Sequence, residues 1–87
     1  MISYEKLINL LKEKDISQYK LRQEKILGSA TITKIFKNNG INGESIDIKV
    51  VDKMCKLLNC QPGDILECIE DIDGYSDKSE RRYRENQ

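Results

Sequence analysis

Apolar residues recur at intervals of three and four along most of this 87-residue chain, which is the spacing of helices that bury one face. In the first such stretch, Leu7, Ile8 and Leu11 share one side and charged residues occupy the other. The pattern predicts five helices, near residues 3–14, 17–24, 28–37, 47–58 and 61–69. We therefore expect an all-α domain with a single small core, because a chain of this length buries no more than that.

Polar residues stand where the predicted helices start and stop. Ser3, Ser17 and Asp47 precede apolar-periodic stretches, where their side chains can accept hydrogen bonds from the free amide groups of a first turn. Asn59 suits the left-handed residue that ends a helix, and Pro62 suits a first helical turn. These signals support the predicted bounds.

Two stretches lack an apolar period. Residues 38–47, NNGINGESID, are rich in asparagine and glycine and predict a loop. A tolerated surface insertion is the favoured interpretation of this loop, and a short hairpin or wing is the alternative. Residues 71–87 are polar and charged, which predicts a disordered tail after a domain spanning residues 1–70.

The candidate chemistry lies between Ser17 and Lys37, where two short helices are joined by a tight turn. The second of these helices would turn apolar residues inwards and a set of small, hydroxylic or basic side chains outwards: Ser29, Ala30, Thr33, Lys34 and Lys37. Short side chains let a helix approach the floor of a DNA major groove, while lysines meet the phosphates. Residues 17–37 hold five basic residues and one acidic residue, although the net charge of the chain is zero.

Other classes of function find little support in the composition. No apolar run approaches the ~20 residues that span a bilayer, and charges interrupt the apolar part of the N-terminus, unlike in a signal peptide. Cys55, Cys60 and Cys68, without any histidine, match neither an even disulfide set nor a zinc pattern, so we expect small buried thiols in a reducing cytoplasm. The chain has no nucleophile-and-base pairing and no phosphate-binding glycine loop, so we expect neither an enzyme nor a cofactor.

The helix pair resembles the helix-turn-helix of the Cro and phage-repressor family. Leu21, Ile32 and Ile35 fall at three buried positions of that family, and the sequence from Ile35 to Asn38 is similar to its Leu-Phe-Asn-Gly ending. Arg22 departs from a usual small residue and Ile26 from a usual turn glycine. The run from residue 52 to residue 67 also closely resembles the DKICKALNCQPGDILE signature of small Cro-like bacterial regulators, so the resemblance covers about residues 2–71.

This resemblance implies a five-helix, lambda-repressor-like domain and a set of DNA contacts. Ser29 and Ala30 occupy positions that contact base edges in lambda-type relatives, and Gln18 occupies the position of a phosphate-contacting glutamine. We predict base-edge contacts for Ser29, Ala30, Thr33 and Lys34, and phosphate contacts for Gln18, Lys20, Arg22, Lys37, Asn38 and Asn39. For Arg22 the alternative is a surface residue that merely replaces alanine.

These features predict a cytoplasmic, sequence-specific regulator of transcription, most simply a repressor, that binds double-stranded DNA as a homodimer on two half-sites. The candidate dimer surfaces are the predicted fifth helix with residues 66–72 and the outer edge of the first helix. A protein-interaction module, such as an antitoxin, antirepressor or inhibitor that keeps the fold, is the alternative. We expect no small-molecule effector, because so short a chain leaves no room for a sensor domain.

Overall fold

Four α-helices form most of the regular structure of residues 1–70, which are the residues that the computed structural model describes. They are α1 (Glu5–Glu13), α2 (Gln18–Gln23), α3 (Ser29–Phe36) and α4 (Ile48–Leu58). Each of them begins and ends within two residues of its predicted bounds. The predicted all-α class is therefore confirmed, and the predicted disordered tail lies outside the described residues.

The prediction of a fifth helix is wrong. Pro62–Asp64 form a single 3₁₀ turn, and Glu67–Cys68 form a short strand, β2. This strand pairs antiparallel with β1 (Ile2–Ser3), so that Ile2 lies opposite Cys68. The ladder continues beyond the strands, because the N–H group of Ile69 donates to the Met1 carbonyl at 2.8 Å. Pairing between the two ends of the domain satisfies backbone groups of both segments and outweighs the local helical pattern.

Side chains cap the helices at the predicted places. The Ser17 hydroxyl accepts a hydrogen bond from the Lys20 N–H at 3.1 Å, and the Asp47 carboxylate accepts one from the Lys49 N–H at 2.8 Å. Ser3 lies one residue before the N-cap position of α1, which is Tyr4, but still accepts from the Glu5 N–H at 3.2 Å. Each such cap contributes about 1 kcal/mol to the stability of its helix.

The core lies between the four helices and the 3₁₀ turn. It consists of Tyr4, Leu7, Ile8, Leu11, Leu21, Leu27, Ile32, Ile35, Val51, Met54, Leu58 and Ile65. Leu21, Ile32 and Ile35 are completely buried, as their positions in the helix-turn-helix predict. The expectation of buried thiols is wrong, since Cys55 and Cys60 are half-buried and Cys68 is exposed on the strand β2.

The connection between α3 and α4 is neither a loose surface insertion nor a hairpin. It begins with a 3₁₀ turn, Lys37–Gly40, and residues 41–47 form no strand. Gly40 is buried with a φ of 91°, and a Cβ atom there would lie 2.8 Å from backbone atoms of Tyr4 and Glu5. The Tyr4 N–H donates to the Gly40 carbonyl at 2.9 Å, so the connection is held against the start of α1.

Candidate nucleic-acid interface

The turn between α2 and α3 is closed by a residue other than the expected glycine. Lys25 takes the left-handed conformation, with a φ of 54°, one position before Ile26. The Ile26 N–H donates to the Leu21 carbonyl at 2.9 Å, and the Lys25 N–H donates to the Arg22 carbonyl at 3.1 Å. These two bonds define a Schellman ending, in which an apolar residue after the left-handed one is favoured. Ile26 is therefore suited to the turn, because the conformational demand falls on Lys25.

The outward face of α3 carries the four predicted base-edge residues. Ser29, Ala30, Thr33 and Lys34 are all exposed, while Ile32 and Ile35 hold the opposite face in the core. The Thr33 hydroxyl donates to the Ser29 carbonyl at 3.0 Å, which fixes the side chain and leaves its oxygen lone pairs and methyl group available to a ligand. The face is thus low in relief, with a single long side chain, Lys34.

Two basic side chains lie beside the first turn of α3. Arg22 and Lys25 line one shallow depression together with Leu27, Gly28 and Ser29. The free N–H groups and the positive dipole end of α3 lie at the same place, so an anion there meets both charge and hydrogen-bond donors. The arrangement favours Arg22 as a phosphate contact, and it adds Lys25, which the sequence pattern had counted only as part of the local charge.

The start of α2 presents Gln18, Tyr19 and Lys20 to solvent. Tyr19 is 70% exposed, so its ring and hydroxyl are both accessible to a ligand. Tyrosine hydroxyls are ordinary phosphate contacts, so Tyr19 is a further candidate beside the predicted Gln18 and Lys20. Its position two residues before the buried Leu21 places it on the outer face of α2, and this helical phase could have identified it from the sequence.

Two of the predicted phosphate contacts after α3, Lys37 and Asn38, already make contacts within the protein. The Lys37 ammonium lies 3.3 Å from the Glu44 carboxylate, and the Asn38 side-chain amide donates to the Ile41 carbonyl at 2.7 Å. Asn38 and Asn39 both have positive φ, and both are exposed. A phosphate at this end must therefore compete with Glu44 for Lys37, whereas Asn39 has its side chain in solvent.

Comparison with protein families identifies the architecture. The model of the Cro/C1-type HTH DNA-binding domain matches residues 6–71, which is about three-quarters of the chain. The chain belongs to this family. Searches of the curated proteins and of the solved structures give no match. The arrangement of α1 to α4 is accordingly a lambda-repressor-like fold, in which α2 and α3 are the helix-turn-helix.

In this Cro/C1-type domain, a buried asparagine that the sequence pattern did not single out holds the end of α3. Asn42 is 3% exposed, and its side-chain amide donates to the Lys34 carbonyl at 2.8 Å and to the Lys37 carbonyl at 2.6 Å. Its side-chain oxygen accepts from the Glu44 N–H at 2.9 Å. Unpaired carbonyls at a buried helix end are costly, so Asn42 stabilises both α3 and the connection that follows it.

Two other kinds of feature, a metal site and a membrane span, are absent from residues 1–70 of the Cro/C1-type domain. No group of three or more cysteine and acidic side chains in this range is arranged to hold a metal ion. Within the same residues, no helix has the length and apolarity needed to cross a membrane.

Proposed function

We propose that this protein is a sequence-specific DNA-binding regulator of transcription, acting most simply as a repressor in the cytoplasm. It inserts α3 into the major groove of double-stranded DNA. Ser29, Ala30, Thr33 and Lys34 then read base edges, and the ends of α2 and α3 hold the flanking phosphates. Regulation by a repressor of this kind requires only that its site overlap that of the transcription machinery.

One observation carries the proposal: α3 presents a low, hydroxylic face and has basic side chains on the flank of its first turn. The small side chains of Ser29 and Ala30 let the helix backbone approach base edges. Arg22 and Lys25 lie beside Gly28 and Ser29, where they can neutralise a phosphate at the groove edge. The match to a DNA-binding family over residues 6–71 agrees with this use of the surface.

Tyr19, Gln18 and Lys20 form the second phosphate contact in this proposal. They lie at the exposed start of α2, and Ser17 already fixes the backbone there by capping the helix. Backbone contacts of this kind set the register of a recognition helix without reading sequence. Lys37 contributes at the other end of α3 when the phosphate displaces Glu44.

Selection of bound sequences from a random pool of duplex DNA tests the proposal. We expect a consensus with two related half-sites, because one recognition helix provides too few contacts for specific binding and a homodimer supplies two. Recovery of no enriched sequence would contradict sequence-specific binding. Enrichment of one unrepeated half-site would retain DNA reading and contradict the homodimer.

Two kinds of variant then separate base reading from phosphate binding. Thr33→Ala should lose about 1 kcal/mol of discrimination at the base pair it contacts and bind variant sites more evenly. Arg22→Ala should weaken binding to all sites alike and reduce the slope of log affinity against log salt by about 0.9. Lys12→Ala, an exposed lysine of α1 outside the helix-turn-helix, is the matched control and should leave that slope unchanged. Equal effects of all three variants on every DNA would overturn the assignment.

A homodimer is part of the proposal, and the ribbon formed by β1 and β2 is its contact surface. Ile2 and Cys68 are cross-strand partners, and both are exposed, so they make an apolar patch on one face of the ribbon. A two-fold dimer uses one such patch from each subunit. The surface includes the part of residues 66–72 that the structure describes and replaces the predicted fifth helix.

A further inference from the structure

Three of the helices end with the same backbone arrangement. A residue one or two positions after the helix has a positive φ in each case: 59° at Asp15, 54° at Lys25 and 52° at Asn59. The next N–H group donates to the carbonyl five residues earlier, over the pairs Ile16 to Leu11 (2.8 Å), Ile26 to Leu21 (2.9 Å) and Cys60 to Cys55 (2.9 Å). This bond brings the two residues of each pair close together across the helix end.

The side chains of the pairs differ in kind. In α1 and α2 the bonded pair is a leucine and an isoleucine, which is the apolar contact that usually accompanies this ending. In α4 the same two positions are both cysteines. A helix ending that usually juxtaposes two apolar groups therefore juxtaposes two thiols at Cys55 and Cys60.

The thiol pair is accessible. Both cysteines are half-buried, and they line one surface groove with Ile48, Asp52 and Pro62. Small molecules in solution can therefore reach the sulfur atoms without unfolding of α4. None of the predicted DNA-contacting residues lines this groove, so the pair is separate from the recognition surface.

We propose that Cys55 and Cys60 form a redox-modification site that closes to an intrachain disulfide by exchange with a low-molecular-weight disulfide of the glutathione type. The thiolate of one cysteine attacks a sulfur of the glutathione disulfide and releases one glutathione thiolate. The second cysteine thiolate then attacks the protein sulfur of the mixed disulfide and releases the other glutathione. Two protein thiols are oxidised, one glutathione disulfide is reduced to two thiols, and those thiols take up the two protons.

The surroundings of Cys60 set the pH dependence of this step. Desolvation raises the pKa of the Cys60 thiol, the neighbouring Cys55 and the Asp64 carboxylate raise it further, and the Lys14 ammonium opposes them. The thiolate is the attacking species, so the rate of attack by Cys60 should keep increasing up to a higher pH than the rate for a cysteine with an ordinary pKa. Attack by Cys60 is accordingly slower at neutral pH than attack by a cysteine with an ordinary pKa.

Peptide mapping of the full chain carrying Cys68→Ser tests the proposal. The reduced protein is incubated with oxidised glutathione, remaining thiols are alkylated, and trypsin cleaves without a reductant. Cleavage after Lys53 and Lys56 places Cys55 in peptide 54–56 and Cys60 in peptide 57–78. We expect these two peptides to be linked by a disulfide within one chain, whereas two separate glutathione adducts would overturn the proposal. In the unsubstituted protein, additional cleavage after Glu67 separates Cys60 from Cys68 and gives the same mapping.

The contribution of the fold is measured by repeating the equilibrium in urea. The folded helix end holds the two thiols together, so the equilibrium constant for closure should be on the order of tenfold larger in the native than in the unfolded protein. Cys55→Ser and Cys60→Ser variants in the Cys68→Ser chain should each stop at one glutathione adduct. An equal or larger constant in urea would show that the helix end does not position the pair, and would overturn the inference.

Discussion

At the scale of single residues, the connection after α3 depends on two side chains with buried polar atoms. Asn42 pairs with the end of α3, and the Tyr4 hydroxyl donates to the Glu44 carbonyl. The asparagines and glycines of this stretch predicted a loop correctly, but composition cannot distinguish an asparagine in solvent from one that caps a helix. The difference depends on the path of the connection, and Tyr4 contacts that connection at Gly40 and Glu44 from more than 30 positions away in sequence. The role of Gly40 was equally unpredictable from composition, because only its close approach to the backbone of Tyr4 shows why a side chain cannot fit there.

Replacing Tyr4 by phenylalanine should reduce stability in a pH-dependent way. At neutral pH, Tyr4→Phe should lose about 1 kcal/mol of unfolding free energy, because the Glu44 carbonyl loses its donor. Burial, and then the Glu44 charge, raise the pKa of Tyr4 above its ordinary value of 10.0. The folded state therefore keeps a proton that the unfolded chain releases, and the stability that Tyr4 contributes is complete below pH 10 and is lost as the pH rises further.

Urea denaturation of Tyr4→Phe and of the unsubstituted protein, from pH 7 to pH 11, measures this effect. The stability difference between them should shrink above pH 10. Tyr19→Phe is the matched control, because Tyr19 is 70% exposed, and it should change stability little at neutral pH. A Tyr4 difference that stays constant across this range would contradict the explanation.

At the scale of helices and strands, local signals determined most boundaries. Ser17, Asp47 and Asn59 do what their residue types predict, since a cap or a left-handed stop depends on a few neighbouring backbone atoms. The prediction of a fifth helix failed because Glu67–Cys68 pair with Ile2–Ser3, and no local pattern reveals a partner so distant in sequence. The helix-turn-helix was partly predictable. Its buried positions could be predicted from helical periodicity, and the direction of its outward faces followed from them.

The outer faces also show why the site was only partly predictable. Ser29, Ala30, Thr33 and Lys34 were identifiable as one face by helical periodicity alone, and the structure leaves all four exposed. The ion pair of Lys37 with Glu44 could not be identified from the sequence, because it depends on the path of the connection after α3. Lys25 at the turn had a charge that suggested phosphates, but its backbone role required the hydrogen bonds of the Schellman ending.

Replacing Lys25 by glycine should stabilise the protein. A residue with a Cβ atom at a φ of 54° is strained, and glycine removes that strain at some cost in chain entropy, for a net gain of about 0.5–1 kcal/mol. Lys53→Gly is the matched control, since Lys53 is an exposed lysine inside α4, and it should lose about 1 kcal/mol. Thermal unfolding measures both variants. A loss of stability in Lys25→Gly would show that the left-handed residue is not the determinant of the turn.

At the scale of the whole molecule, the two ends of the domain are joined by the β1–β2 ribbon, while the proposed DNA-reading face is built from α2 and α3. The ribbon leaves Ile2 42% exposed beside Cys68, and this apolar patch supports the proposed homodimer. Separation of the two surfaces has a functional consequence. A change at the ribbon should alter the number of half-sites bound while leaving the contacts of α3 with each half-site in place.

Replacing Ile2 by glutamate should therefore weaken the homodimer without unfolding the domain. In a two-fold contact the new carboxylates of both subunits would be desolvated in one patch, so we expect the dimer dissociation constant to rise by at least tenfold, equivalent to about 1.4 kcal/mol. The backbone pairing of Ile2 with Cys68 does not involve the side chain and should persist.

Leu57→Glu is the matched control, because Leu57 is also 42% exposed but lies on α4, and it should leave the dimer unchanged. Sedimentation at micromolar concentration measures the dissociation constant, and binding to DNA with one or two half-sites measures the consequence. In Ile2→Glu, affinity for a single half-site should be retained and the added affinity of the second should be lost. An unsubstituted protein that stays monomeric both in solution and on a two-half-site DNA would contradict the dimer, and equal effects of the two glutamates would place its contact elsewhere.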